Sequence, residues 1–134
     1  MKVLYPACFY AEDDGMYSVI IPDLGCATQG NDLVDAFYMA QDCISGWILS
    51  AIEDGEKIPK ASDIKDIKAD EYENGFVNLV FADIDLYAES YGEQPVRRSF
   101  DIPQWLDQIA KDECIDLQEL LKQALRKKID EQYE

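Results

Sequence analysis

Residues 16–32 read Met16-Tyr17-Ser18-Val19-Ile20-Ile21-Pro22-Asp23-Leu24-Gly25-Cys26-Ala27-Thr28-Gln29-Gly30-Asn31-Asp32, and Leu33-Val34-Asp35-Ala36-Phe37 follow. The pattern turns here from strand to helix. Residues 16–22 are rich in β-branched and aromatic side chains, as a strand requires. Pro22-Asp23-Leu24-Gly25 has turn chemistry, Cys26–Gln29 fits a short strand, and Gly30-Asn31 breaks it. Asp32 is a good N-cap, and Asp35 places a carboxylate in the first helical turn. From there Leu33, Ala36, Phe37, Ala40, Cys43, Ile44, Trp47, Ile48 and Ala51 recur at spacings of three and four. That is one apolar stripe of a long helix. Gly55 is positioned to take the left-handed conformation that ends it, and Gly46 invites a close approach to the sheet.

Working outward, residues 3–11 form a strand that Glu12-Asp13-Asp14-Gly15 joins to residues 16–22 as a hairpin with a four- or five-residue connection. Pro6 donates no hydrogen bond, which predicts an edge position or a bulge. Residues 56–75 are polar without clear period and read as a loop with a short helical turn. Residues 76–87 alternate, but the parity slips near Ala82-Asp83, predicting a bulge or a strand buried on both faces. The first domain, 1–88, is then β-β-β-α-β, with the helix covering one sheet face. Glu89-Ser90-Tyr91-Gly92-Glu93-Gln94-Pro95 has linker composition.

The remainder, 96–134, has a different grammar. Val96–Ile102 alternates, with Phe100 and Ile102 on one face and Arg97, Ser99 and Asp101 on the other. Trp105, Leu106, Ile109 and Ala110 mark a short amphipathic helix. Asp116 can cap a second helix carrying Leu117, Leu120, Leu121, Ala124, Leu125 and Ile129. A strand and two helices in under about 40 residues rarely sustain a core alone. Pairing the strand with its copy in a second chain predicts a homodimer through 96–134. The alternative is that this strand joins the first domain's sheet.

Charge sharpens the division. The 134 residues carry a net charge of −16. Residues 1–95 hold 5 basic and 19 acidic side chains, a balance of −14, and residues 96–134 hold 7 and 9, a balance of −2. The first segment repels nucleic acid and attracts basic proteins, although acidity serves solubility too. There is no histidine, which removes the commonest general base and zinc ligand. Cys8, Cys26, Cys43 and Cys114 form no C-x-x-C pair, and Cys8 and Cys43 read as small buried hydrophobes. No Ser-His, Cys-His or glycine-rich phosphate motif is present. Asp23, Asp83 and Asp85 invite a two-metal nuclease reading, but surface alternation for Asp83 and Asp85 and turn preference for Asp23 account for them better. No catalytic residue, cofactor or metal is therefore expected. The N-terminus lacks a signal-peptide apolar region, and no apolar run approaches the roughly 18–20 residues of a membrane span. A cytoplasmic location with reduced thiols is expected.

Two patterns resemble a known family. Tyr5-Pro6-Ala7, Gly15-Met16-Tyr17-Ser18-Val19, Pro22-Asp23-Leu24-Gly25-Cys26, Thr28-Gln29-Gly30-Asn31-Asp32 and the helix opening Leu33-Val34-Asp35-Ala36 resemble the HicB antitoxin domain, a partial RNase H-like fold. The family's usual second proline before the glycine after Leu24 is absent. Phe100-Asp101-Ile102-Pro103 with Trp105-Leu106, then Leu117-Gln118-Glu119-Leu120-Leu121 with Ala124-Leu125, resemble a ribbon-helix-helix module. The resemblance implies an α+β protein that neutralises a small basic HicA-like mRNA-cleaving toxin. It also implies autorepression by binding operator DNA. Arg97, Ser99 and Asp101 would face the major groove, and backbone N–H groups near Asp116 and Leu117 would clamp a phosphate. Asp116 departs from the small or hydroxyl residue usual there. Tyr17, Asp23 and Leu24 are candidates for the toxin-facing surface. The alternative function is an orphan transcriptional regulator whose first domain binds a ligand or another protein.

Overall fold

The computed structural model describes residues 1–92 and 95–133. The order is β1 (Lys2–Ala11), β2 (Tyr17–Ile21), β3 (Cys26–Gly30), α1 (Leu33–Glu53), a 3-10 turn (Ile64–Asp66), β4 (Gly75–Asp83), α2 (Ile84–Tyr91), α3 (Gln104–Asp112) and α4 (Leu117–Tyr133). The chain forms two compact units, Lys2–Glu93 and Gln94–Glu134 with Met1.

In the first unit the strands make one sheet in the order β3-β2-β1-β4, with every neighbouring pair antiparallel. The register puts Phe9 opposite both Val19 and Phe76, and Ile21 opposite Cys26. These residues share the face that α1 covers, where the Phe9 and Phe37 rings stack at 4.4 Å. Tyr5, Ala7, Phe9, Val19, Ile21 and Val80 from the sheet, and Ala36, Ala40, Ile44 and Ile48 from α1, are buried. Of the predicted stripe, Ala36, Ala40, Ile44, Ile48 and Ala51 are buried, Phe37, Trp47 and Cys43 (the last expected to be buried) are half-buried because they flank the line of contact with the sheet, and Leu33 is exposed.

The ends of α1 are built as the sequence implies. The Asp32 carboxylate accepts from the Asp35 N–H. At the other end Gly55 has φ +72°, with Gly55 N donating to Ile52 O and Glu56 N to Ala51 O. This double bond pattern is a Schellman ending. Gly30 closes β3 under the start of α1, where a Cβ would lie 2.3 Å from the Ala36 nitrogen. Gly46 faces the Tyr87 hydroxyl of α2, so its close approach is to a helix and not to the sheet.

Three expectations need correction. First, β1 is an inner strand. Its ladder with β2 begins only at Cys8, whereas β4 pairs it from Lys2 to Tyr10. Pro6 therefore lies beyond the end of the β2 ladder, and its missing donor costs no bond there. Second, residues 76–87 are not one strand. The strand stops at Asp83, whose carboxylate accepts from the Leu86 N–H and starts α2. A side chain changing face at a strand-to-helix junction gives the same parity slip as a bulge. Third, α2 continues to Tyr91, three residues into the stretch read as a linker, of which residues 93 and 94 lie outside the described residues.

Residues 56–74, apart from one 3-10 turn, have no regular structure and take up the polar tips of β1, and Gly75 already belongs to β4. The Tyr5 hydroxyl donates to Pro59 O, the Cys8 thiol to Lys68 O, and the Tyr10 hydroxyl accepts from the Glu71 N–H. The Tyr10 and Tyr72 rings meet edge to face at 5.3 Å. Pro6, Cys8 and Tyr10 are buried on the face that α1 leaves open.

In the second unit α3 and α4 meet at a turn where Cys114 has φ +55°. Asp116 caps α4, its Oδ1 accepting from the Gln118 and Glu119 N–H groups at 3.1 and 3.2 Å. Residues 95–103 form no strand in the single chain. Of the side chains in this unit's described residues, Ala110 alone among the hydrophobics is buried.

Candidate functional site

The residues singled out from sequence fall in two places and do not converge. Tyr17 begins β2, while Asp23 and Leu24 follow its other end. About 13 Å of strand separates Tyr17 from Ile21. Leu24 is buried in the core. The Asp23 carboxylate accepts from both the N–H and the hydroxyl of Ser62, at 2.9 and 2.5 Å. It pins segment 56–74 and, with burial as the larger cause, raises the Tyr5 hydroxyl pKa. Asp83 caps a helix and Asp85 sits in its first turn, so these three aspartates share no strand face. Among the described residues no group of three or more His, Cys, Asp or Glu side chains has metal-binding geometry.

In the second unit, Arg97, Ser99 and Asp101 are exposed on the irregular segment before α3. Leu117 is the first residue of α4. Asp116 Oδ1 takes the Gln118 and Glu119 N–H groups of this helix start, so a phosphate arriving there meets a carboxylate of the same charge.

The more developed surface lies along β4, and periodicity alone does not disclose it, because strand order is not written in period-two patterning. β4 is an edge strand of nine residues. The Leu79 N–H is taken by the Asn78 side-chain oxygen at 2.9 Å, so it points to the open edge and not to β1. On one side of this edge lies a cleft of about 320 Å³ between α1, the end of β4 and α2, lined by Tyr38, Asp42, Ser45, Ala82, Leu86 and Tyr87 among others. Burial, then Asp42, then Tyr91 push the Tyr87 hydroxyl pKa up. On the other side Leu79 and Phe81 are exposed beside Leu4. A second cleft, of about 480 Å³, opens between the β1–β2 hairpin and residues 72–74.

A fully antiparallel α+β unit with an acidic, apolar-edged surface, followed by a helical unit with unburied apolar faces, fits the class of proteins that meet other macromolecules. The chain belongs to the HicB-like antitoxin family of bacterial toxin-antitoxin systems, whose family model matches residues 5–124. A protein of 14.9 kDa from Haemophilus phage HP1, encoded in the rep-hol intergenic region, is 38% identical over 86 residues. That match covers 63% of this chain and 62% of the phage protein. A chain of a toxin-antitoxin complex from Streptococcus pneumoniae is similar over 96% of this chain and 99% of its own, at 26% identity and a TM-score of 0.61. The HicB antitoxin of Burkholderia pseudomallei shares the fold over 96% of this chain and 98% of its own, at 21% identity and a TM-score of 0.54. No helix among the described residues is long and apolar enough to cross a membrane.

Proposed function

We propose that this chain is a non-catalytic antitoxin that binds and neutralises a small, basic, HicA-like mRNA-cleaving toxin through its first domain. It also dimerises and represses its own operon through the second. The observation carrying this reading is the segregation of charge within a HicB-like antitoxin chain: a balance of −14 over residues 1–95 against −2 over residues 96–134. The acidic part steers a basic protein and accelerates its association, while the part at −2 repels DNA far less than the first. Three antiparallel strands followed by a long helix suit the partial RNase H-like description of the first domain. The half-exposed leucines and isoleucines of α3 and α4, with an unpaired segment 96–102, suit a ribbon-helix-helix module completed by a second chain. Its ribbon presents Arg97, Ser99 and Asp101 to operator DNA. The organisation is then residues 1–91, through the end of α2, for toxin and 96–134 for dimer and DNA, with a cytoplasmic location.

The test is coexpression with the small basic protein encoded beside this chain's gene. That protein alone should arrest growth, and this chain should restore it. A neighbour that is harmless, or that stays toxic in the presence of this chain, overturns the antitoxin reading. For the operator, a gel shift at fixed salt should weaken with Arg97→Ala; unchanged binding refutes the ribbon assignment.

A further inference from the structure

The toxin-facing side of the first domain can be located more closely than its charge allows. Edge strands in natural proteins are blunted by shortness, by proline, by lysine or by bulges. The nine residues of β4, Gly75-Phe76-Val77-Asn78-Leu79-Val80-Phe81-Ala82-Asp83, contain no proline and no lysine, and the strand pairs with β1 in unbroken register from Gly75 to Asp83. The Leu79 N–H points outward and is satisfied by the neighbouring Asn78 side chain, a partner that a strand can displace by rotation of one side chain. Because main-chain groups alternate along a strand, Val77 and Phe81 direct theirs outward as well. The flanking side chains are apolar and uncovered: Leu4 is 51% exposed, Leu79 40% and Phe81 46%.

We infer that the open edge of β4 is the docking line for a strand of the basic toxin, which adds to the sheet as a fifth strand. This inference rests on the antitoxin reading above and names the surface it uses. Strand addition takes affinity from main-chain hydrogen bonds and specificity from pockets for alternate side chains. Here the two sides differ. Side chains of the added strand on the cleft side meet Asp42, Tyr38 and Tyr87, with Phe81 also bordering the cleft, and those on the other side meet Leu79 and Leu4. The partner strand therefore alternates lysine or arginine with apolar residues. A second copy of this chain is disfavoured at the same edge, because it brings another acidic domain of balance −14 against the first.

The experiment measures affinity between the full chain and the purified small basic protein encoded beside its gene, with amide hydrogen exchange on the complex. Leu79→Lys and Phe81→Lys, at exposed side chains, should each weaken binding at least tenfold, with unchanged circular dichroism and thermal midpoint. Val34→Lys, on an exposed residue of α1 away from the edge, should leave it unchanged. The outward amides of Val77, Leu79 and Phe81 should gain protection in the complex. Wild-type binding that survives both lysine variants, or no gain in β4 protection, overturns the edge assignment and leaves the antitoxin reading standing. Lysine variants that change only the oligomeric state assign the edge to a second copy and overturn the inference as well. A wild-type chain that fails to bind the basic protein overturns the antitoxin reading itself.

Discussion

Replacing Leu120 by alanine tests whether the second unit is completed by another chain. Leu106, Ile109, Leu117, Leu120, Leu121, Leu125 and Ile129 are between 41% and 54% exposed in the single chain. Full burial of such a side chain contributes about 1.5–3 kcal/mol, so covering the remaining half contributes about 0.7–1.5 kcal/mol each. Seven of them supply roughly 5–10 kcal/mol per chain, enough to compete with an association cost of about 4–15 kcal/mol. Leu120 is 51% exposed, and truncation to alanine removes about 1 kcal/mol of this per chain. A two-fold interface counts the change twice. The loss is about 2 kcal/mol, or roughly 30-fold in the dimer dissociation constant. Sedimentation equilibrium over a concentration series reads it directly. Val34→Ala, on an exposed residue of the first unit, is the control and should not move the constant. A wild-type chain that remains monomeric at about 100 µM refutes the argument, as does a Leu120→Ala chain whose dimer constant stays within about threefold of wild type.

Gly30→Ala should cost about 2–3 kcal/mol in urea unfolding. The new Cβ meets helix backbone at 2.3–2.7 Å, which cannot yield as a side-chain tip would; a loss under about 0.5 kcal/mol would contradict the packing. Asp116→Ser keeps a capping oxygen on α4 but removes the negative charge from its N-terminus, so operator affinity in a gel shift at low salt should rise about two- to fivefold. Equal or weaker binding would mean that no phosphate approaches that helix end. Burial and the neighbouring Cys43 thiol push the Cys26 pKa up to about 12, and burial raises that of Cys8. A raised pKa leaves less thiolate at pH 8, so exposed Cys114 should alkylate first and Cys8 and Cys26 last. Mass spectrometry of a timed iodoacetamide reaction gives the order.

Helix α1 was legible because three independent signals coincide: the Asp32 cap, the stripe through Ile44 and Ile48, and the Gly55 ending. Each is local, and each acts within one turn of the residue that carries it. The junction at Asp83 was not legible for a physical reason. Alternation along Val77, Leu79 and Phe81 followed by Ile84 and Leu86 has one reading as a kinked strand and another as a strand entering a helix. Only the hydrogen bond from the Leu86 N–H to Asp83 separates them. The segment 56–75 hid its role because it offers main-chain groups, Pro59 O, Lys68 O and the Glu71 N–H, to tyrosine and cysteine side chains. Main-chain donors and acceptors have no sequence signature. Among the candidate site residues, Asp23 and Leu24 stand out in the sequence for their turn chemistry. Their structural work is to hold Ser62 and to fill the core, and the exposed surface lies instead along β4.

The two units stand in opposite relations to their partners, and this follows from how each buries its apolar side chains. The first unit holds its core between the sheet and α1, while residues 56–74 occupy the polar tips of β1. Its stability does not wait on another molecule. What it leaves open is an edge whose outward N–H at Leu79 is provisionally occupied by Asn78. Binding there adds a strand to a surface already formed, so little ordering entropy opposes it. The second unit has almost no buried apolar side chain of its own among the described residues, and its segment 95–103 has no strand partner. Under the proposed completion of that unit by a second chain, its folding and dimerisation are one equilibrium, governed by chain concentration. Under the antitoxin reading, a scarce chain therefore neutralises toxin before it represses the operon. In that reading the acidic domain is competent as a monomer, while the proposed DNA-reading ribbon forms only once two chains have met.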